Sequence, residues 1–148
     1  MKQGLILIMI LVTVNLCSQE VGCISGNCEN GTGVYIDLNG NRYSGGFVDS
    51  KREGPGKWNS PSGESYDGLW QNDVFHGQGT FIWADGAKYT GEWKNGVQDG
   101  YGIYFYTNGD KYTGYFHNNK FHGKGKYTWA DGTVQEGLYE EGKYVGPD

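Results

Sequence analysis

Apolar and polar residues alternate singly along most of this chain. Tyr66, Gly68 and Trp70 interleave with Asp67, Leu69 and Gln71, and Gly79, Phe81 and Trp83 interleave with Thr80 and Ile82. A period of two sends successive side chains to opposite faces of a β-strand. Asp85-Gly86, Asn108-Gly109 and Asp131-Gly132 interrupt the alternation with dipeptides that join neighbouring strands into hairpins. The pattern itself repeats. Tyr43, Tyr66, Tyr89 and Tyr112 lead units spaced 23 residues apart, and Gln135 falls where a fifth would start. Each unit has Gly two residues on and an aromatic four on, such as Gly91 and Trp93 after Tyr89. Its second half holds a glycine pair (Gly54/Gly56, Gly77/Gly79, Gly100/Gly102, Gly123/Gly125), then Trp58, Phe81, Tyr104 or Tyr127, then a turn glycine. Gly31, Gly33, Tyr35 and Gly40 fit the second half of a preceding unit.

A unit this small cannot bury itself, so the fixed period predicts stacked repeats. The expected fold is all-β: a single-layer, elongated antiparallel β-meander of repeated β-hairpins, about ten short strands extending roughly 45 Å at the usual strand spacing. Its units fall near 28–42 (partial), 43–65, 66–88, 89–111, 112–134 and 135–148 (partial). All five Trp residues stand in phase with the repeat, which makes one face an aromatic surface. Glycines in phase on that face allow a ring to lie over a neighbouring strand. Ser50, Asp73, Gly96, Asn119 and Gly142 share one loop register, as a left-handed turn position requires.

Composition explains why rings must do this work. Among 148 residues there are 27 Gly and 23 aromatics (5 Trp, 12 Tyr and 6 Phe), and strong aliphatics are scarce after residue 16. The aliphatics gather instead at Leu5 to Leu16, behind Lys2. That apolar run is too short to span a bilayer, which takes about 20 residues. It reads as a signal helix, with residues 1–17 the signal peptide, possessing a retained anchor as its alternative, and 18–27 a short linker. Beyond Lys2, 11 basic residues face 17 acidic ones, a balance that excludes a nucleic-acid partner.

Cys17 ends the apolar run and resembles the lipidated cysteine of bacterial lipoproteins, although Leu16 stands where that class prefers a small residue. Acylation there, or soluble secretion after cleavage near Ser18 or Gln19, are the two fates to separate. Either places the chain outside the cytoplasm, anchored by lipid or secreted. Cys23 and Cys28 are spaced to close a small disulfide loop, the alternative being two unpaired thiols.

The unit Tyr89-Thr90-Gly91-Glu92-Trp93-Lys94-Asn95-Gly96, followed by Asp99-Gly100-Tyr101-Gly102 and Asn108-Gly109, resembles the MORN repeat. The resemblance covers residues 28–148 and suggests an exported or lipoprotein-like MORN repeat protein of bacterial type. It implies a twisted β-meander acting as a scaffold, a protein-binding platform or a lipid-proximal module, without catalysis. The chain departs from the pattern at Ser50, Asp73 and Asn119 in the loop, at Asp37 and Ser60 in the second strand, and at Gln135.

Catalytic and metal chemistry find little support. His76 and His122 hold equivalent positions two units apart, too distant to share an ion, and His117 with His122 lacks a third ligand at a metal-site spacing. The Gly-x-Gly pairs precede strands and lack a Gly-Lys-Ser/Thr ending, so they are structural and not phosphate loops. Asp37-Leu38-Asn39-Gly40-Asn41 lacks the closing Glu of a calcium loop. Asn30-Gly31-Thr32 is a glycosylation sequon, of consequence only in a eukaryotic secretory pathway. No enzyme activity, cofactor or metal is expected. The candidate contact residues are the rings Trp70, Trp83, Trp93, Tyr106 and Trp129, with Phe75 and Phe121 expected to line one edge beside Tyr144, Gln98 and Arg52. An unknown protein or peptide is the expected partner; membrane phospholipid and carbohydrate are the alternatives.

Overall fold

The computed structural model describes residues 20–148; the expected signal helix and Cys17 lie outside the described residues. Twelve antiparallel strands lie in chain order in one sheet. They are β1 (Gly22–Gly26), β2 (Gly31–Ile36), β3 (Arg42–Val48), β4 (Lys51–Asn59), β5 (Ser65–Gln71), β6 (Val74–Ile82), β7 (Lys88–Lys94), β8 (Val97–Phe105), β9 (Lys111–His117), β10 (Lys120–Thr128), β11 (Val134–Glu140) and β12 (Lys143–Gly146). Every connection is a hairpin, and twelve strands extend the sheet to about 50 Å. The two strands beyond the expected ten are β1 and β12. β1 lies inside the stretch expected to be a linker. No ring in phase with the repeat marks it; backbone pairing with β2 defines it.

Two kinds of loop alternate. The tight turns are two residues long, and both residues have positive φ: Asn72 and Asp73 (48° and 71°), Asn118 and Asn119 (48° and 64°). That is the type I′ geometry whose twist matches paired strands. Asp73 and Asn119, departures from the glycine pattern, do more than tolerate the turn. Asp73 Oδ1 accepts the Arg52 amide at 2.9 Å and Asn119 Oδ1 accepts the Gln98 amide at 2.8 Å, each reaching back one unit. The wider loops hold five residues between strands, as at 83–87, where Trp83 N–H donates to Ala87 O and Gly86 N–H to Trp83 O, both at 2.9 Å.

The core is a layer of rings on one face of the sheet. Tyr43, Tyr66, Tyr89 and Tyr112 are at most 2% exposed. Each is gripped edge-on by an aromatic of its own unit and one of the next: Tyr43 by Phe47 and Trp70 (both 5.1 Å), Tyr66 by Trp70 and Trp93 (5.4 and 5.6 Å), Tyr89 by Trp93 and Phe116 (5.2 and 4.9 Å). Each such pair adds about 0.5–1.5 kcal/mol beyond the area it buries. The phenols find partners three residues on, Tyr66 donating to Leu69 O and Tyr89 to Glu92 O, both at 2.9 Å. The indoles lock units together: Trp70 Nε1 donates to Gly56 O at 3.3 Å and Trp93 Nε1 to Gly79 O at 3.2 Å.

The glycine pairs divide their labour. Gly100 has φ 114° and sits where β8 bulges against β7, between the pairs Gly91↔Gly102 and Trp93↔Gln98. Gly102 is needed for a different reason, because a Cβ there would lie 2.5 Å from the Tyr89 ring laid across it. The opposite face is open to solvent and holds ion pairs such as Lys57–Asp67 at 2.8 Å.

Candidate binding site

Burial divides the aromatic face into two ladders. The inner ladder is the core just described, and it takes in two of the expected contact residues, Trp70 (3% exposed) and Trp93 (6%). Phe75 and Phe121 do not line an edge. Phe75 stacks on Tyr66 at 3.9 Å and Phe121 on Tyr112 at 3.6 Å, so both lie half-buried over the core rings. In the equivalent register Gln98 is buried, and Tyr144 meets Tyr139 edge-on at 5.5 Å.

The outer ladder follows the five-residue loops. Its rings run Trp58, Phe81, Trp83, Tyr104, Tyr106, Tyr127, Trp129, with successive centroids 4.6–6.4 Å apart. These rings are half-buried except Trp129, which is exposed. Three of the expected contact residues, Trp83, Tyr106 and Trp129, belong here. Trp58, Phe81, Tyr104 and Tyr127 join them; the repeat phase identified all four as face residues, yet phase alone does not separate a covered ring from an open one. Asp110 anchors the loop side of the ladder, accepting hydrogen bonds from the Tyr127 phenol at 2.7 Å and the Ala130 amide at 2.8 Å. The Tyr127 hydrogen bond holds its carboxyl below the usual carboxylate range. Burial pushes the Tyr106 phenol up to about 12.

At the N-terminal end the ladders change character. Cys23 opposes Tyr35 in the register where Tyr43 opposes Trp58. Cys23 and Cys28 are joined as a disulfide with Cα atoms 5.9 Å apart. A Cβ on Gly33 would meet Cys28 Sγ at 2.7 Å, just as one on Gly56 would meet the Tyr43 ring. The disulfide therefore occupies the place that a leading Tyr fills in every full unit. It is smaller than a phenol, and a cavity of about 1020 Å³ lies beside it. Tyr35, Tyr43, Phe47 and Trp58 supply the cavity's rings; Glu29, Asp37, Asn41, Arg52 and Asp73 supply its polar groups. A smaller hollow of about 380 Å³ shares Asp37, Arg52, Trp58 and Asp73 and continues toward Phe75.

Arg52 spans the two hollows. Its guanidinium lies over Trp70 at 4.2 Å and is held by Asp73, Nε to Oδ1 at 3.0 Å and Nη2 to the backbone oxygen at 2.8 Å. Asp37 instead closes its own loop. It accepts the Asn39 and Asn41 amides at 2.8 and 3.0 Å and the Asn41 side chain at 2.8 Å. These bonds keep its pKa low against the opposing effect of desolvation. The Asp37 loop is thus a hydrogen-bonded turn.

The histidines fall as their spacing implies. His117 and His122 approach to 5.7 Å between ring centroids, but Asp99 takes His117 Nδ1 at 2.8 Å and Asn118 meets Nε2 at 3.1 Å. The face presents flat rings in a row, ended by a cavity with carboxylates.

Hairpins of one length, stacked in one sheet around a ladder of leading tyrosines, define a single-sheet β-hairpin repeat protein. The MORN repeat family model matches residues 43–65, 66–88, 89–111 and 112–134, the same units that the leading tyrosines mark. The chain belongs to the MORN repeat family. No curated protein matches it in sequence.

Proposed function

We propose that this MORN repeat protein is a non-catalytic scaffold that holds a protein or peptide partner on its ring-bearing face outside the cytoplasm, tethered to the membrane if Cys17 is acylated. The observation that carries this reading is the outer ladder. The inner ladder already supplies the edge-on contacts and indole hydrogen bonds that tie unit to unit. The outer rings leave faces open along the sheet, where Tyr and Trp anchor partners best. The Cys23–Cys28 disulfide supports an oxidising compartment.

Affinity capture with the intact exported protein tests the reading. The wild type should retain a partner that the double variant Trp83→Ala/Trp129→Ala loses, with unchanged near-ultraviolet circular dichroism. Equal capture by both would overturn it. Two rivals have their own readouts. Salt-sensitive co-sedimentation of the unacylated repeat region with anionic liposomes would favour a lipid surface, and glycan binding lost in the same double variant would favour a carbohydrate module. Intact mass of the membrane-extracted protein decides the tether: a diacylglycerol adduct on Cys17 is expected, and an unmodified Cys17 refutes it.

A further inference from the structure

The cavity at the N-terminal end differs from the rest of the ring face in both shape and charge. Its volume arises where the Cys23–Cys28 disulfide replaces a ring, so no other unit repeats it. Tyr35, 40% exposed, and Trp58 turn open ring surface toward it. Arg52 is paired with Asp73, which leaves no free cation for an anionic ligand among the described residues that line the cavity. Glu29 and Asp37, in contrast, have no ion-pair partner among the described residues. The cavity therefore presents aromatic faces and a net negative charge, the carboxylates of Glu29, Asp37 and Asp73 outnumbering the one cation, Arg52, among its lining residues, on a chain whose formal net charge is −5.

We propose that this cavity is a docking site for a lysine or arginine side chain on the partner's segment, its shaft against Trp58 and Tyr35 and its charge toward Glu29 and Asp37. The inference rests on the scaffold reading and names where and by what chemistry the partner is held. The molecule displays the same chemistry one unit along, where Arg52 lies on Trp70 with Asp73 beside it. A cation over an indole face is attracted by the ring quadrupole, the more so where water is partly excluded. A neutral sugar would stack on the rings and donate hydroxyl hydrogen bonds to the carboxylates without balancing their charge, so the saccharide is the discriminating control, whereas an anionic headgroup would be repelled by them.

The test uses the full exported chain with its disulfide intact and follows the five indole N–H resonances by NMR. The probes are a terminally blocked tetralysine peptide, its side-chain-acetylated counterpart and a neutral tetrasaccharide. Tetralysine should shift the Trp58 indole saturably and leave Trp129 unmoved, while the acetylated peptide should shift neither. Glu29→Gln should weaken tetralysine binding at least fivefold without disturbing the fold, since Glu29 is exposed. Trp58→Ala should weaken it at least tenfold. Equal shifts at Trp58 and Trp129, an unchanged affinity in Glu29→Gln, or preference for the acetylated peptide or the saccharide would each overturn the assignment. Should the captured partner be retained in full by Glu29→Gln and Trp58→Ala, the cavity assignment falls while the scaffold reading stands. If tetralysine seats at Trp58 but no partner is captured, the cavity assignment is upheld and the scaffold reading falls.

Discussion

At the scale of single residues, the repeat is a set of steric exclusions. Tyr89 lies across Gly102 so closely that one added methyl has nowhere to go. Gly102→Ala should therefore cost about 1–3 kcal/mol, the usual penalty for overpacking a filled core. Thr90→Ala, on the solvent face of the adjoining strand, should stay within about 0.5 kcal/mol of wild type. Urea melts of the two variants check this, and equal midpoints would show that the ring can yield. The same logic explains why position 98 accepts Gln where Phe75 and Phe121 stand in other units. Gln98 is buried against the ring face while its backbone amide is held by Asn119, so the position demands cover for the inner ladder and not a ring as such.

Individual hairpins show what could be read beforehand and what could not. The full units from Tyr43 to Val134 were legible because each has a period of two, a leading Tyr and turn dipeptides, and each of these has one structural solution. β1 was not legible. Its residues follow no ring phase, and its one aliphatic, Ile24, remains exposed, so nothing in its alternation distinguishes it from a linker. The candidate site was legible only as a face. Sequence phase places Trp70 and Trp83 on the same side of the sheet, whereas their burial depends on whether the next unit's ring closes over them, a relation between units that no single unit encodes. The cavity depended on Cys28 reaching the space above Gly33, which spacing alone does not reveal. Because the disulfide closes a short loop, its reduction should remove about 2 kcal/mol from that hairpin. The loss should stay local. Amide exchange should quicken at Cys23 to Gly26 and remain unchanged in β6 and β7, and uniform acceleration across the sheet would contradict it.

For the whole molecule, the inner ladder makes stability a collective property of phenols. Burial pushes Tyr43 up to about 12 and raises Tyr66, Tyr89 and Tyr112 as well. In the unfolded chain these phenols ionise near 10. A group whose folded pKa lies above its unfolded one contributes stability in full below pH about 10, and loses it as pH climbs through the folded value. The protein should therefore lose stability between pH about 10 and 12, with phenolate absorbance rising together with loss of the near-ultraviolet signal. Independent phenolate titration near pH 10 with the fold retained would argue against it. The uninterrupted spacing of the units has a further meaning for length. Since each unit docks only on its neighbours, inserting one more copy between β4 and β9 would displace the far end by roughly 10 Å and leave the disulfide-capped end unchanged. The array is then a ruler with a fixed zero, on which the distance from the acidic cavity to the last open ring is set by counting repeats.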